Sequence, residues 1–268
     1  DCGMTVASRG TVMGAQSVRK TGEKLKGVMI QNALELHSLP LEEIEKAYGL
    51  KKGTLDYSKL TADQVELLDS QFYLKKYPDV KVPFSGVCNA CLWTGKQMAA
   101  FEWFKPQDLI QDHETGQGKA FPTFAYGCIV AEVEVDMKTG YVDVLEVTAS
   151  HDVGTAINPA LVKGQIYGGI VMGQGFAVTE DVVTGKRGQK TKNFDSYILP
   201  TSMDAPKMNI NIYENQDPAG TYGAKSIGEP ATEGVGAAIA NAIFNATGRR
   251  VYENPADLET VLLGHKLQ

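Results

Sequence analysis

Glycine placement constrains this chain more than any other feature. Glycine supplies 28 of its 268 residues, above the roughly 7% of average usage, and the excess gathers from Gly154 onward. Tight backbone turns and close approaches are needed there. The richest stretch, Gly164-Gln-Ile-Tyr-Gly-Gly-Ile-Val-Met-Gly-Gln-Gly175, has neither the GxxxxGK[ST] of a phosphate loop nor the strand and downstream acid of a dinucleotide fingerprint. Close helix packing explains it better. Extended to Val178, the run is still shorter than the roughly 20 apolar residues that span a bilayer, and Gln165 and Gln174 interrupt it.

Lys+Arg total 26 against 32 Asp+Glu, a net charge of −6 with a pI near 5.3. That balance argues against electrostatic capture of nucleic acid or of an anionic membrane. With 43% hydrophobic and 22% charged residues, the chain can bury a core, and one large domain or two smaller ones are expected. The opening DCGMTVASRG has no charged segment followed by an apolar one, so no secretory signal is read there. Four cysteines, Cys2, Cys88, Cys91 and Cys128, are too few for a disulfide scaffold of this length, which implies a reducing, cytoplasmic setting. The Asn245-Ala-Thr sequon is then fortuitous.

Apolar positions Val18, Leu25, Val28, Met29, Ala33 and Leu36 recur at helical spacing within residues 12–38, which predicts a long amphipathic helix. A polar region from Leu39 to about Val82 contains Thr61-Ala-Asp-Gln64 followed by Val65, Leu67 and Leu68, the pattern of a capped helical insertion. From Phe121 the composition turns to Val, Tyr and Thr. Residues Thr123 to Val135 and Tyr141 to Ala149, joined by Asp136-Met-Lys-Thr-Gly140, predict a β-hairpin. A helix is predicted over Pro159 to Thr179, a strand over Met208 to Tyr213, and a helix from Pro230 through Ala246 that Gly248 terminates. Helices interspersed with antiparallel hairpins place the chain in the α+β class, with mixed or antiparallel sheets and packed helices.

Most motifs carry no chemistry. Cys88-Asn-Ala-Cys91 has metal-ligand spacing, but no second pair completes a four-ligand site. His37, His113, His151 and His265 are scattered and read as structural. No GxSxG nucleophile elbow occurs. Gly223-Ala-Lys-Ser-Ile-Gly-Glu-Pro230 is more informative, because a carboxylate just before a helix opened by proline is favoured as the anion. An ordinary helix cap accounts for it equally well. Lys225 either holds that loop or orients a cofactor oxygen.

At these residues the chain resembles the molybdenum-binding subunit of the xanthine dehydrogenase and aldehyde oxidoreductase family, the molybdenum hydroxylases. Five blocks carry the resemblance in order. Thr5-Val-Ala-Ser-Arg-Gly-Thr11 resembles the pterin-contacting loop, and Gly116-Gln-Gly-Lys-Ala-Phe-Pro-Thr123 the entry to the last molybdenum domain. Asp152-Val-Gly-Thr-Ala-Ile-Asn-Pro159, Gly164 to Gly175, and Gly223 to Pro230 resemble three signature stretches. The match is weakest over residues 39–112.

The resemblance implies a fold of C-terminal molybdopterin-binding domains, with residues 1–115 completing the first such region and residues 116–268 forming the last domain. It implies that Glu229 is the catalytic base, taking a proton from a molybdenum-bound hydroxyl while hydride passes to a sulfido ligand. Ala7, Ser8, Arg9, Gly10 and Thr11 match the loop against the metal and pterin, and Gln165 the glutamine beside the metal's apical oxygen. Lys225 matches a further position near the site. No side chain is implied as a direct metal ligand: the pterin holds molybdenum, with Ala7, Gln165 and Glu229 nearby.

The family's molybdenum subunit has an earlier half, and this chain begins after it. A C-terminal half, or a separately encoded medium subunit of the nicotinate dehydrogenase type, is therefore expected, active only beside a chain carrying the other half. Molybdopterin cytosine dinucleotide is the implied cofactor, with [2Fe–2S] and FAD subunits as electron partners. A small aromatic heterocycle is the implied substrate, purine-like first, nicotinate-like second and an aldehyde third. A noncatalytic cofactor-binding scaffold is the competing reading.

Overall fold

The computed structural model describes residues 4–106 and 109–265. Its contacts divide into two compact units, one formed by Ala15–Lys105 and the other by the N-terminal segment up to Gly14 together with the chain from Pro106 onward. The N-terminal segment groups with the second unit, where the Thr221 and Ser226 hydroxyls bond its Thr11 carbonyl and Val12 amide.

In the first unit, α1 (Ala15–Glu35) is the predicted amphipathic helix. Met29, Ile30, Ala33 and Leu34 carry its buried stripe, whereas Val18, expected inward, is 73% exposed. A short α2 (Leu41–Ala47) follows. Buried Glu45 in it accepts hydrogen bonds from the amides of Gly53 (3.0 Å) and Leu55 (2.7 Å), which fixes the loop beyond. The helical insertion predicted after Thr61 is corrected. Gln64 Oε1 accepts from the Thr61 amide as a capping residue should, but the helix ends after the single turn Ala62–Gln64.

Strands β1 (Val65–Leu68), β2 (Gln71–Leu74) and β3 (Tyr77–Pro83) then form an antiparallel sheet. Asp69 and Ser70, both at positive φ, close the first hairpin, a two-residue turn that matches strand twist without glycine. Pairing Val65 with Leu74 and burying Phe72 outweighs local helix propensity. Helix α3 (Phe84–Thr94) ends at left-handed Gly95 and buries Val87 and Cys91 in the same core.

The second unit is organised on a mixed sheet. A minimal ladder of β4 (Ile110–Gln111) with β5 (Gly118–Lys119) precedes the predicted hairpin of β6 (Gly127–Val135) and β7 (Val142–Asp152). Asp136 sets the hairpin turn by accepting from the Lys138 amide (2.8 Å) and the Thr139 hydroxyl (2.9 Å), with Gly140 in the left-handed region. Helix α4 (Pro159–Val178), capped by Asn158, and a second minimal ladder, β8 (Thr184–Gly185) with β9 (Gly188–Gln189), follow. Strand β10 (Lys207–Tyr213) lies parallel to β7, giving the order β10-β7-β6. The single helix predicted from Pro230 is two, α5 (Pro230–Glu233) and α6 (Val235–Thr247), jointed at Gly234, and α7 (Leu258–Leu263) closes the core. The α+β class stands.

The glycines of α4 do what packing requires. A Cβ on Gly169 would lie 2.6 Å from that of Ala231, and one on Gly173 only 2.5 Å from that of Val235. Bare backbone there lets α5 and α6 approach while Ile166, Ile170, Val235 and Ile239 fill the core. Gly173→Ala is expected to destabilise this unit by about 1–3 kcal/mol, read as a lower denaturation midpoint; an unchanged midpoint would show that the helices separate freely. Among the described residues no helix is long and apolar enough to cross a membrane.

Candidate active site

Two loops of the second unit meet through backbone hydrogen bonds. Gly154, just past β7, holds φ +62°, and a Cβ there would fall 2.1 Å from the Gly223 carbonyl oxygen. Only glycine permits that approach. It lets Gly154 bridge Ala224, the Lys225 amide donate to the Val153 carbonyl (2.8 Å), and the Thr155 amide donate to that of Gly223 (2.9 Å). The loop running to Glu229 is thereby stitched to the end of the sheet.

Lys225 holds the loop to the sheet. Its ammonium donates to Asp152 Oδ2 at 2.6 Å and lies 5.3 Å from the centre of the Tyr126 ring. The Lys225 side chain is buried and that of Asp152 largely so, at 5% and 11% exposure. Burial pushes the Asp152 carboxyl up, but the Lys225 hydrogen bond, its charge and the Gly154 amide outweigh that and hold it below the usual carboxylate range.

The N-terminal loop lies over this framework. Ala7 and Ser8 both adopt positive φ (53° and 50°), sparsely populated for residues with a Cβ. A π-helical turn, Gly10–Gly14, follows. Thr221 Oγ1 donates to the Thr11 carbonyl at 3.0 Å, and the Val12 amide to Ser226 Oγ at 3.4 Å. Ser8 Oγ accepts from the Glu229 amide at 2.7 Å and donates to Glu229 Oε2 at 2.8 Å.

A cavity of about 500 Å³ opens where these loops meet, within the range of small-molecule sites. Ala7, Ser8, Arg9, Lys225 and Glu229 all line it. Its apolar wall includes Val6, Val12, Leu109, Phe121 and Phe124, the two phenylalanines meeting edge to face at 6.3 Å. Arg9 Nε is shielded from solvent and has no hydrogen-bond partner among the described residues. A buried donor without an acceptor is costly.

Three sequence-predicted residues stand apart from the cavity. Gly10 opens the π turn, Thr11 engages Thr221 through its carbonyl, and Gln165 is exposed on α4, one turn before the Gly169–Ala231 contact. Sequence reasoning missed the Asp152 anchor and the Phe121–Phe124 wall, although Asp152 and Phe121 sit inside blocks that it singled out. His151 is buried, with Nε2 unpartnered among the described residues, and burial pushes its pKa down. It belongs to the sheet, and burial favours its neutral form. Cys88 is half-buried, and burial, then Cys91, pushes its thiol pKa up. Cys2 lies outside the described residues. Among the described residues no group of three His, Cys, Asp or Glu is placed to hold a metal.

Comparison with known proteins follows the same lines. The family of molybdopterin cofactor-binding domains matches residues 1–206. The aldehyde oxidoreductase molybdenum-binding subunit PaoC of Escherichia coli (strain K12) is 37% identical over 284 residues, covering 94% of this chain and 37% of that protein. An aldehyde oxidoreductase of Megalodesulfovibrio gigas is 38% identical over 151 residues, 56% of this chain and 16% of that protein. The crystal structure of quinoline 2-oxidoreductase from Pseudomonas putida 86 shares the fold with a TM-score of 0.73 at 24% identity, over 96% of this chain and 30% of that one. The chain therefore spans between about a sixth and a little over a third of the length of these proteins.

Proposed function

Because the chain belongs to the molybdopterin cofactor-binding family of the molybdenum hydroxylases, we propose that it forms the base-bearing part of an oxidoreductase that hydroxylates an electrophilic carbon with water. When bound, the cofactor, assigned here as molybdopterin cytosine dinucleotide, supplies the two-electron acceptor and the oxygen that enters product. The net reaction replaces C–H by C–OH and releases two electrons and two protons.

The residues of this chain divide the remaining work. Arg9 would meet a cofactor oxygen from the cavity wall, with the backbone of Ala7 and Ser8 against the pterin and Gly10 just behind them. Thr11 and Lys225 hold the two loops through Thr221 and Asp152. Gln165 is retained as a cofactor contact from its exposed place on α4. Glu229 takes the proton at Oε1, since Oε2 is already engaged by Ser8. The single observation carrying this reading is Glu229 on the wall of a cavity that Ala7, Ser8 and Arg9 of the N-terminal loop also line.

A chain carrying the rest of the molybdenum subunit would complete the pocket, and [2Fe–2S] and FAD subunits would carry electrons away in the cytoplasm. A purine-like heterocycle is the proposed substrate, facing the Phe121–Phe124 wall. An aldehyde is the second reading, favoured by the names of the relatives at 37% and 38% identity.

The complex purified through this chain is expected to contain molybdenum and cytidine nucleotide in equal amounts, with an iron–sulfur protein co-purifying. Metal-free protein with no partner under gentle conditions would leave a scaffold. Turnover assays with hypoxanthine, nicotinate and benzaldehyde then rank the substrates.

A further inference from the structure

The Ser8 hydroxyl is placed to do more than line the cofactor loop. It accepts from the Glu229 amide at 2.7 Å and donates to Glu229 Oε2 at 2.8 Å, so one oxygen grips both the backbone and the carboxylate of the same residue. A hydroxyl has one proton to give and two lone pairs to receive with, and this arrangement uses the proton and one lone pair. No other hydrogen bond to the Glu229 carboxylate is formed among the described residues, and α5 behind it has no side-chain cap of its own. Without Ser8, no hydrogen bond among the described residues fixes the rotation of the carboxylate.

Two features show that the local backbone is arranged around this contact. Ser8 and Ala7 hold left-handed conformations that a residue with a Cβ adopts at a cost. Gly228, which precedes Glu229, has an ordinary φ, yet a Cβ on it would fall 2.8 Å from Ser8 Oγ. Glycine is needed at 228 to leave the hydroxyl its place.

Resting on the reading of Glu229 as the base, we propose that Ser8 is its positioning residue. Ser8 ties Oε2 down so that Oε1 alone is presented to the reacting proton. The contact joins residues 221 positions apart, so it also makes the N-terminal loop and the base move as one body.

The test uses the loaded complex purified through this chain, comparing Ser8→Ala, Ser8→Gly and Gly228→Ala with wild type and with Glu229→Gln. Ser8→Gly removes the hydroxyl while relieving the backbone, and Gly228→Ala displaces the hydroxyl without removing it. All three are expected to lower kcat by about ten- to a hundredfold, with KM held within about twofold. Molybdenum content should be unchanged, and the crystal structure of the Ser8→Ala complex should show the Glu229 carboxylate turned from its wild-type position. Unchanged kcat in Ser8→Ala beside an inactive Glu229→Gln would overturn the positioning role and leave the base intact. Loss of molybdenum from the Ser8 variants would overturn it too, by assigning the hydroxyl to the cofactor. Full turnover by Glu229→Gln would remove both the base and its positioner.

Discussion

Glu229→Gln is expected to lower kcat by about a thousandfold or more, with molybdenum content and subunit composition unchanged. The substitution preserves shape. Glutamine keeps a carbonyl oxygen that accepts from Ser8 Oγ, and its backbone amide still donates to the same hydroxyl, as in wild type at 2.7 Å. Only the capacity to accept a proton is lost. Metal content measured beside turnover therefore separates a missing base from an unassembled site. Retained turnover would remove Glu229 from the chemistry and favour the scaffold reading.

The largest effect on stability is expected from Lys225→Met. It leaves Asp152 buried without its partner, and breaking a buried pair from one side costs about 3–5 kcal/mol. The second unit should unfold at lower denaturant, and turnover should fall with it, because Lys225 and Glu229 sit on one loop along the same cavity. Removing both charges, Lys225→Met with Asp152→Leu, is expected to recover most of the stability.

The pH dependence has a definite sign. The Asp152 pKa is depressed in the folded chain, so its contribution is fully present above the unfolded value near 3.9 and is lost as pH falls through the folded one. Denaturation midpoints measured from pH 7 down to about 3 should thus decline less steeply in the double variant. Parallel profiles would show that the pair is not what acid breaks.

Periodicity carried much of the fold. The β6–β7 hairpin announced itself by an Asp-to-Gly connector between two Val-rich runs, and α4 by its apolar density bounded by Asn158-Pro159. It failed where a short segment had two acceptable local structures. Thr61 and Gln64 do cap, as their spacing implies, but Val65 and Leu67 satisfy strand and helix equally until Phe72 and Leu74 arrive opposite them. The joint at Gly234 escaped notice for a similar reason: a lone glycine is tolerated within a helix, and only the approach of Ile129, 3.1 Å from where its Cβ would be, marks this one out.

The site divides along the same line. Sequence by itself marked the candidates: a carboxylate ahead of a proline-opened helix and glycines where backbones must touch, with the N-terminal loop added by resemblance to the molybdenum hydroxylases. Those are properties of neighbours in the chain, and the spacing of side chains expresses them. Tertiary structure alone decided what each residue is free to do. It engaged Lys225 with Asp152 across 73 residues, left Arg9 Nε without an acceptor, kept Gln165 off the cavity wall, and closed Ser8 on Glu229 across 221 residues. Hydrogen bonds and burial act over a few ångströms of space regardless of chain distance, so no reading of local pattern contains them.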